Sequence, residues 1–435
     1  MHVHEATLAA DSILADIDRF IDELDSRLWT LNTYIHSHPE LAFDEHKAHD
    51  ALCNLMESEP GWVVTRSAYG MTTAWSAVYD SGRSGPVVNF NAEMDALPGL
   101  GHACGHNLIA IVSVAAAMAT ADILRHHHLP GKVLLIGTPA EEGGGGGKIR
   151  CLEAGAYEGV DVSMISHPGI YNNSALVCTT AYTRLRVRYT GKAAHAAQRP
   201  WQGINALDAL VVAYTAISAL RQQTQPDDVI GIHITEGGDG GTNIIHAHSA
   251  GVVVLRAARA QRLHELQQKV EACFRAGAEA TGASVALDVE PGYLDHVPNR
   301  VLASQYAKYW AALPPVDALP CPALKTDDYT WIKSSTDQGN LSYVMPSINV
   351  SFAIPPSPGG GANHSPDFEV AAGTRAAFLR AMRVAKAIAG TTADLYTTPG
   401  LLDEVRTTWR RDIEQGNLEK ERAGREGRIM ATAKH

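Results

Sequence analysis

The stretch VVNFNAEMDALPGLGHACGH, residues 87–106, decides the fold and places the chemistry. An apolar run typical of a buried strand (Val87, Val88, Phe90) leads into a turn, and a long apolar helix follows. The turn carries five groups that bind metals or transfer protons: Glu93, Asp95, His102, Cys104 and His106. Such groups are costly to bury without partners, and functional groups collect at the carboxyl ends of strands in open α/β sheets. The stretch therefore predicts half of a metal site.

Composition limits the architecture and the partners. At 435 residues the chain exceeds the roughly 250–300 residues that one hydrophobic core holds, so we expect two domains. Hydrophobic residues make up 45% of the chain, which is far from the disordered range. The formal net charge of −11 argues against a nucleic acid or an anionic membrane as the main partner. A substrate carboxylate would have to meet a local cation.

The sequence also indicates where the protein works. We find no uninterrupted apolar run of membrane-spanning length, and the start MHVHEATLAADS lacks a basic segment and a signal-type apolar core. The six cysteines are scattered without a paired framework, which suggests reduced thiols and leaves Cys104 free to act as a ligand. We therefore expect a soluble, cytoplasmic protein.

Strand and helix patterns alternate at both ends of the chain, which predicts an α/β fold. Helices are predicted at 5–33, covering one face of the sheet, at 107–125, and at 368–389 as a closing element. SYVMPSINVSFAI (342–354) predicts a core strand. The tail from about residue 400 carries interleaved charges and predicts a solvated helix or frayed end.

Three further segments carry polar groups after predicted strands or in a glycine-rich loop. GKVLLIGTPAEEGGGGGK (131–148) places Glu141 and Glu142 after a strand, and its glycines let the backbone pass close to a metal and substrate. VDVSMISHPG (160–169) places His167 at a strand end, and the loop PPSPGGGANHSP (355–366) displays His364. The GK that ends the glycine run does not complete a phosphate-binding P-loop, because Glu142 and Ile149 occupy positions that need glycine and a hydroxyl.

The middle of the chain has a different pattern. Strands are predicted at 183–189, 229–235, 251–257 and 284–290, with helices at 203–223 and 261–281. The order β-α-β-β-α-β is that of a ferredoxin-like unit. We place it at 179–297, inserted into a larger domain formed by 1–178 and 298–435.

The polar groups after the strands form one chemical set. Thiolate, imidazole and carboxylate are the ligands of zinc and its divalent neighbours. A C-x-H pair alone is a weak signal, but five such groups with the spare carboxylate of Glu141 beside one of them favour a metal centre. The five are Cys104, His106, Glu142, His167 and His364.

Six motifs are recognisable in the chain: AEMDALPGLGHACGHNLIA, PAEEGGGGGK, SHPG, TGKAAHAAQRPWQGINALDA, STDQGN and NHSPDF. In order and spacing they resemble the metal-dependent aminoacylase, hippurate hydrolase and glutamate carboxypeptidase family. The resemblance runs from about residue 30 to 395, and is closest to the auxin-conjugate and p-aminobenzoyl-glutamate amidohydrolases and the β-alanyl-lysine dipeptidases. It implies a mixed-sheet, zinc-exopeptidase-like catalytic domain with an inserted ferredoxin-like dimerisation or lid domain.

The resemblance also implies roles for individual residues. Two divalent metal ions would be held by Cys104, His106, Glu142, His167 and His364. Glu141 would be the general base, and Asp95 would orient a ligand. His195 would reach the active site of a partner subunit and stabilise the oxyanion. Asn243 and Arg256 would hold the carboxylate end of the substrate.

Two departures from the family pattern stand out. A histidine occupies the position of Glu93 in the exopeptidase branches, so the first metal would draw on Cys104 instead. The family usually has proline after TNII, where this chain has His246, which affects the local loop shape and the contacts to the substrate end.

These features predict a metal-dependent amidohydrolase or dipeptidase that acts on an N-acyl amino acid or a dipeptide-like amide. Thiolate ligation favours zinc, and manganese, cobalt or nickel also suit such a site. We expect a small-molecule substrate and a homodimer or higher oligomer formed through the inserted domain.

Alternatives remain open at this point. The same site could run towards amide formation or cyclisation in a biosynthetic pathway, or the fold could serve as a non-catalytic binding scaffold. Cys104 could be an ordinary buried thiol, His195 could merely pack within its domain, and Arg256 could form a surface salt bridge.

Overall fold

The computed structural model describes residues 2–326 and 328–415, which form two compact units. The larger unit contains the described parts of 1–178, 296–332 and 337–435, and the inserted unit contains 179–295 together with 333–336. Each unit has a hydrophobic core of its own.

The larger unit is built from helices around a mixed sheet. The helices are His2–Glu23, Asp25–Ser37, His46–Glu57, His106–His126, Gly147–Glu153, Arg300–Ala312, Gln338–Ser342, Pro366–Ala372, Arg375–Thr397 and Leu401–Gln415. The eight strands lie in the sheet in the order Trp62–Thr65, Trp75–Asp80, Lys132–Thr138, Val87–Glu93, Val162–Gly169, Ser347–Ala353, Asn173–Ser174 and Leu324–Lys325. A second small sheet pairs Val177–Cys178 with Thr330–Trp331.

Four neighbouring strands at the centre of the sheet run parallel and position the polar groups. They are Lys132–Thr138, Val87–Glu93, Val162–Gly169 and Ser347–Ala353. Their residues are mostly buried, which explains the near-continuous apolar sequence of each strand. Because parallel strands end at the same edge, the segments that follow them meet there.

The helix His106–His126 begins at this edge and is a core helix. Every residue from His106 to Leu124 is buried. Its length and composition would also suit a membrane span, but its most apolar window lies entirely inside the protein. The helix starts after Gly105, which has a φ of +77°, and a Cβ there would lie 2.5 Å from Cγ of Pro168. Only glycine fits between the start of this helix and the strand that carries His167.

The predicted helix at 5–33 is divided in the structure into His2–Glu23 and Asp25–Ser37. The apolar period continues across the break, since Leu24 and Leu28 are both buried, so the pattern does not reveal it. The first helix packs mainly against the helices His106–His126 and Arg375–Thr397, which themselves contact strands of the sheet.

Two other predicted elements have different bounds in the structure. The strand predicted at 342–354 begins only at Ser347, directly after Pro346, and is preceded by the short helix Gln338–Ser342. The helix predicted at 368–389 consists of Pro366–Ala372 and Arg375–Thr397. The side chain of Thr374 caps the second of these helices by accepting a hydrogen bond from a backbone N–H, which explains the restart.

The charged tail is partly described. Leu401–Gln415 forms a helix in which Leu401 and Val405 are buried, so this part is amphipathic and not fully solvated. The remainder, 416–435, lies outside the described residues.

The inserted unit has the predicted ferredoxin-like order. Its sheet is antiparallel throughout, in the order Val229–Glu236, His248–Ala257, Ala181–Thr190 and Ser284–Tyr293. The helices Ala206–Leu220 and Ala260–Thr281 supply the apolar residues that cover it. The fold class derived from the sequence is confirmed.

The observed unit boundaries differ slightly from 179–297. The larger unit resumes at His296, whose imidazole contacts the carbonyl of Val177 and the hydroxyl of Ser347 within that unit. The segment 333–336 joins the inserted unit, where the Ser334 carbonyl accepts a hydrogen bond from Thr180 N at 2.9 Å.

Candidate metal and hydrolytic site

His106 is the central side chain of the cluster at the sheet edge. It is the first residue of its helix and is fully buried. Its Nδ1 lies 3.1 Å from Oδ1 of Asp95, which directs Nε2 towards the other acids. Nε2 lies 3.4 Å from Oε2 of Glu93 and 3.9 Å from carboxylate oxygens of both Glu141 and Glu142.

Asp95 also fixes the turn that carries the paired glutamates. The backbone N–H of Glu141 donates to Oδ1 of Asp95 at 3.2 Å, and that of Glu142 donates to Oδ2 at 2.8 Å. Asp95 is 1% exposed, so these hydrogen bonds are shielded from water. One buried carboxylate thus orients both a histidine and the two glutamates.

Two of the glycines after Glu142 let the chain pass close to its own backbone. A Cβ on Gly147 would lie 1.7 Å from the carbonyl oxygen of Pro139, and one on Gly145 would lie 2.5 Å from that of Ala140. The close approach they permit is therefore to the chain's own backbone. It folds the loop back so that the helix Gly147–Glu153 can start beneath the glutamates.

His167 approaches the cluster from the neighbouring strand. Its Nδ1 contacts Oδ1 of Asn349 at 2.8 Å, and its Nε2 lies 3.4 Å from Oε2 of Glu93. Asn349 lies on the adjacent parallel strand, and it orients His167 as Asp95 orients His106.

Cys104 and His364 complete the cluster. The backbone N–H of His364 donates to the Ala103 carbonyl at 2.8 Å, and its Nε2 lies 3.2 Å from Oε1 of Glu142. Burial opposes ionisation of Cys104, but hydrogen bonds with His106 and His364 outweigh it and lower the pKa of the thiol. A thiolate is the form that binds metals.

The five predicted ligands therefore converge, although they come from separate segments of the chain. Their donor atoms are the nitrogen, oxygen and sulfur atoms that divalent transition metals prefer. Within the described residues, Glu93 Oε2 and His106 Nε2 are buried and have no hydrogen-bond partner. Buried polar atoms without partners are rare, so this arrangement fits bound cations.

Glu141 has the environment of a proton acceptor. It is buried, and burial together with the charges of Glu93 and Glu142 raises its pKa well above the usual value. A carboxylate with a raised pKa holds a proton more readily, which suits general base catalysis near neutral pH.

Sequence reasoning missed the partners of Glu93. Oε1 of Glu93 accepts a hydrogen bond from Nζ of Lys148 at 2.6 Å, and Lys148 also pairs with Asp337. The side chains of all three are 0% exposed. Lys148 ended the glycine run and Asp337 lay in the STDQGN motif, but no local pattern joined them.

The other predicted residues lie in the inserted unit. His195 lies on the strand Ala194–His195, which pairs with Ile244–Ile245, next to Asn243. Nδ1 of His195 accepts hydrogen bonds from the backbone N–H groups of Ala197 and Gln198, both at 3.2 Å. The neutral imidazole therefore carries its proton on Nε2, where it can be donated.

Arg256 is half-buried. Its guanidinium donates to the Ser335 hydroxyl at 2.7 Å and lies over the ring of Tyr182. Among the described residues Arg256 forms no ion pair, so the salt-bridge alternative does not hold there. Burial lowers its pKa, and an unpaired, partly desolvated guanidinium is suited to bind an anion.

His246 replaces the usual proline and holds the adjacent loop. Its Nδ1 accepts a hydrogen bond from the Asp239 N–H at 3.0 Å. Gly238 has a φ of +113°, and a Cβ there would lie 2.6 Å from the His246 ring. The imidazole therefore fixes the loop before Asn243 by packing and hydrogen bonding.

Comparison with known proteins decides the family. A model of peptidase family M20/M25/M40 matches residues 89–389. The chain belongs to this family. It is 41% identical to the mouse Xaa-Arg dipeptidase over 92% of both chains, and 38% identical to the human Xaa-Arg dipeptidase over 91% of both. It is 29% identical to a p-aminobenzoyl-glutamate hydrolase chain of Escherichia coli, over 67% of this chain and 62% of that protein.

Solved structures show the same fold. A putative aminohydrolase from methicillin-resistant Staphylococcus aureus superposes with a TM-score of 0.70 at 19% identity, covering 88% of this chain and 99% of that one. A dinuclear metal-binding M20 peptidase from Bacillus subtilis gives 0.65 at 18% identity, covering 86% and 99%. The M20 chain described here is thus a metal-dependent hydrolase of the amidohydrolase and dipeptidase type.

Proposed function

We propose that this M20 hydrolase cleaves dipeptides and N-acyl amino acids, with a metal-activated water as nucleophile and Glu141 as general base. The observation that carries the proposal is the convergence of five nitrogen, oxygen and sulfur donors around buried, unpaired atoms, with Glu141 beside them. Hydrolysis of one amide bond is the chemistry that such a site performs.

Dipeptides with a basic carboxyl-terminal residue are the substrates to test first. The two most similar relatives named above are Xaa-Arg dipeptidases, and their similarity extends over nine-tenths of the chain. The net charge of −11 is also compatible with a cationic substrate side chain. N-acyl amino acids are the second class, because the next relative is a p-aminobenzoyl-glutamate hydrolase.

Two metal ions, zinc in our proposal, would be held by Cys104, His106, Glu142, His167 and His364. Manganese, cobalt and nickel suit the same donors, but the thiol favours zinc. When bound, such ions would lower the pKa of a water molecule to about 7 and would polarise the amide carbonyl.

The protein supplies the proton transfers. Glu141 takes a proton from the attacking water and delivers it to the departing amine, a step typically worth about 10²–10⁴-fold in rate. Its backbone N–H donates to Asp95, which fixes the turn that carries the side chain. Glu142, next in the chain, points its Oε1 towards His364 instead.

The inserted unit contributes the remaining groups in this proposal. Nε2 of His195 donates to the developing oxyanion in the active site of a second copy of the chain, which requires a homodimer or higher oligomer. The loss of one such donor costs about 2.7–4 kcal/mol in known enzymes. Arg256, supported by its unpaired guanidinium, and Asn243 hold the substrate carboxylate.

The experiment is to measure zinc content and the hydrolysis of a panel of Xaa-Arg dipeptides, Xaa-Lys dipeptides and N-acyl amino acids. Glu141→Gln should retain zinc and lose at least about 10²-fold in kcat. Glu153→Gln makes the same chemical change at an exposed position and should leave kcat unchanged. Comparable turnover by Glu141→Gln and the wild type would contradict the proposal.

A further inference from the structure

Lys148 is a buried cation beneath the metal cluster. Its Nζ donates to Oε1 of Glu93 at 2.6 Å and pairs with the carboxylate of Asp337, while its backbone N–H donates to Oδ2 of Asp337 at 2.8 Å. Asp337 thus holds Lys148 at two points, and Lys148 holds one oxygen of Glu93. The side chain of Glu93 cannot rotate without breaking a buried ion pair, which is strongly destabilising.

The other oxygen of Glu93 faces two histidines. Oε2 lies 3.4 Å from Nε2 of His106 and 3.4 Å from Nε2 of His167. These separations exceed the normal hydrogen-bond range. Donor atoms around a tetrahedral zinc, with bonds of about 2.0–2.1 Å, lie about 3.3–3.4 Å apart. Oε2 of Glu93 therefore lies at the distance of a neighbouring metal ligand from each of the two imidazole nitrogens.

A second group of donors also contains His106. Cys104, His106 and Glu142 have donor atoms within 4.8 Å of one another, and His364 lies 3.2 Å from Glu142. The donors therefore divide into a group that contains the thiol and a group that contains Glu93, and His106 belongs to both. Glu141 lies within 4.8 Å of Glu93 and His106, and His167 lies beside Glu93.

We propose that Lys148 is a positioning residue of the metal centre: pinned by Asp337, it holds one oxygen of Glu93 so that the other binds a metal ion together with His106 and His167. The inference rests on the metal centre of the proposed function. It adds a carboxylate ligand that the family resemblance did not assign, and a lysine that acts through it.

A buried hydrogen-bond network next to Asp337 holds the pair Lys148 and Asp337 in place. Gln338, next to Asp337, accepts a hydrogen bond from Nδ2 of Asn91 at 2.9 Å and donates to Ser163 at 3.1 Å. Asn91 lies on the same strand as Glu93, so this buried network ties Asp337 to the strand that carries the ligand. Ligands held by such a network stay within the small tolerance that metal binding requires.

If Lys148 positions Glu93, and if it only neutralises nearby acids, its removal should change metal affinity in opposite directions. If Lys148 only neutralised nearby acids, its removal would strengthen the binding of a cation, because a positive charge next to the site would be lost. If it positions Glu93, its removal should weaken binding. The double variant Lys148→Met/Asp337→Asn removes one charge of each sign and isolates the effect of positioning.

The test uses the full chain, stripped of metal and titrated with Co²⁺ in equilibrium dialysis. The absorption band of a thiolate bound to cobalt reports the ion in the group that contains Cys104. Total cobalt reports both ions. The wild type should bind two ions, of which one produces the band.

In Glu93→Gln, we expect one ion to bind at least about 100-fold more weakly, with the thiolate band retained. In Lys148→Met/Asp337→Asn the same ion should bind about 10–100-fold more weakly, as for other supporting residues. In the Glu93→Gln background the double substitution should add no further loss. Asp394→Asn removes another buried carboxylate that pairs with a lysine, remote from the donors, and should bind both ions normally.

The outcomes separate this inference from the proposed function. Two ions bound with wild-type affinity by Glu93→Gln, or tighter binding by Lys148→Met, would overturn the inference alone. A wild type that binds no cobalt would overturn the proposed function and the inference with it. Near-ultraviolet circular dichroism checks that each variant is folded. If Glu93→Gln does not fold, Glu93→Asp replaces it, because aspartate keeps the charge but places the carboxylate oxygen farther from the two histidines. The same ion should then bind more weakly to Glu93→Asp than to the wild type.

Discussion

Replacement of Asp95 by asparagine tests how the cluster is held. Asp95 accepts hydrogen bonds from Nδ1 of His106 at 3.1 Å and from the backbone N–H groups of Glu141 and Glu142 at 3.2 and 2.8 Å. Asparagine keeps one acceptor oxygen and replaces the other by an NH₂ group, which faces a donor. At least one hydrogen bond to a charged acceptor is therefore lost, together with the negative charge.

The size of the effect follows from burial. A hydrogen bond to a charged group contributes about 1.5–3 kcal/mol, and Asp95 is 1% exposed, so water does not replace the lost partner. At 1.4 kcal/mol per factor of ten, Asp95→Asn should weaken metal binding roughly 10- to 150-fold. This agrees with the 10–100-fold typical for residues that support metal ligands.

The assay is competition for Zn²⁺ with a chromophoric chelator, together with kcat/KM for a dipeptide. Asp161→Asn is the matched control, because its carboxylate accepts the N–H of Val87 at the opposite end of the strand that ends at Glu93. Asp161→Asn should lower the free energy of unfolding without changing the affinity for Zn²⁺. If Asp95→Asn binds zinc within threefold of the wild type, Asp95 does not orient the cluster.

Three further predictions concern pH, backbone and substrate. Burial lowers the pKa of His296 to about 4, so the unfolded chain takes up its proton near pH 6.5 and the folded chain only near pH 4. The free energy of unfolding should therefore fall by up to roughly 3 kcal/mol as the pH drops through this window, and His296→Gln should flatten that slope in urea unfolding. Gly105→Ala should destabilise the protein by about 1–3 kcal/mol more than Gly82→Ala in thermal unfolding, because both have a positive φ but only Gly105 meets a neighbour, Pro168. Equal shifts would refute the packing argument. Arg256→Gln should raise KM for substrates with a free carboxylate at least about tenfold, while KM for their amides stays constant; parallel changes for both would exclude carboxylate binding.

The sequence was sufficient to predict the centre of the fold. The strand at 87–93 and the helix from His106 are encoded locally, by an apolar run and by a turn rich in glycine. Glu142 and His364 follow parallel strands of the central sheet, and His167 lies near the end of another, so the strand pattern together with the family resemblance predicted their convergence. Their roles as ligands stay predictions that the metal measurements test.

Other features depend on contacts that no local pattern contains. Lys148 and Asp337 are 189 residues apart in the chain, and His167 and Asn349 are 182 apart. Pairs of this kind become visible only when the strands are in register. The break at Leu24 was missed for a different reason, since a buried leucine continues the apolar period through the interruption.

The most direct measurement is a crystal structure of the zinc-loaded protein with an anomalous difference map. The account predicts two zinc peaks among Cys104, His106, Glu142, His167 and His364, with the Glu141 carboxylate beyond the bonding distance of about 2.0–2.2 Å. One peak, no peak, or Glu141 bonded to zinc would contradict it.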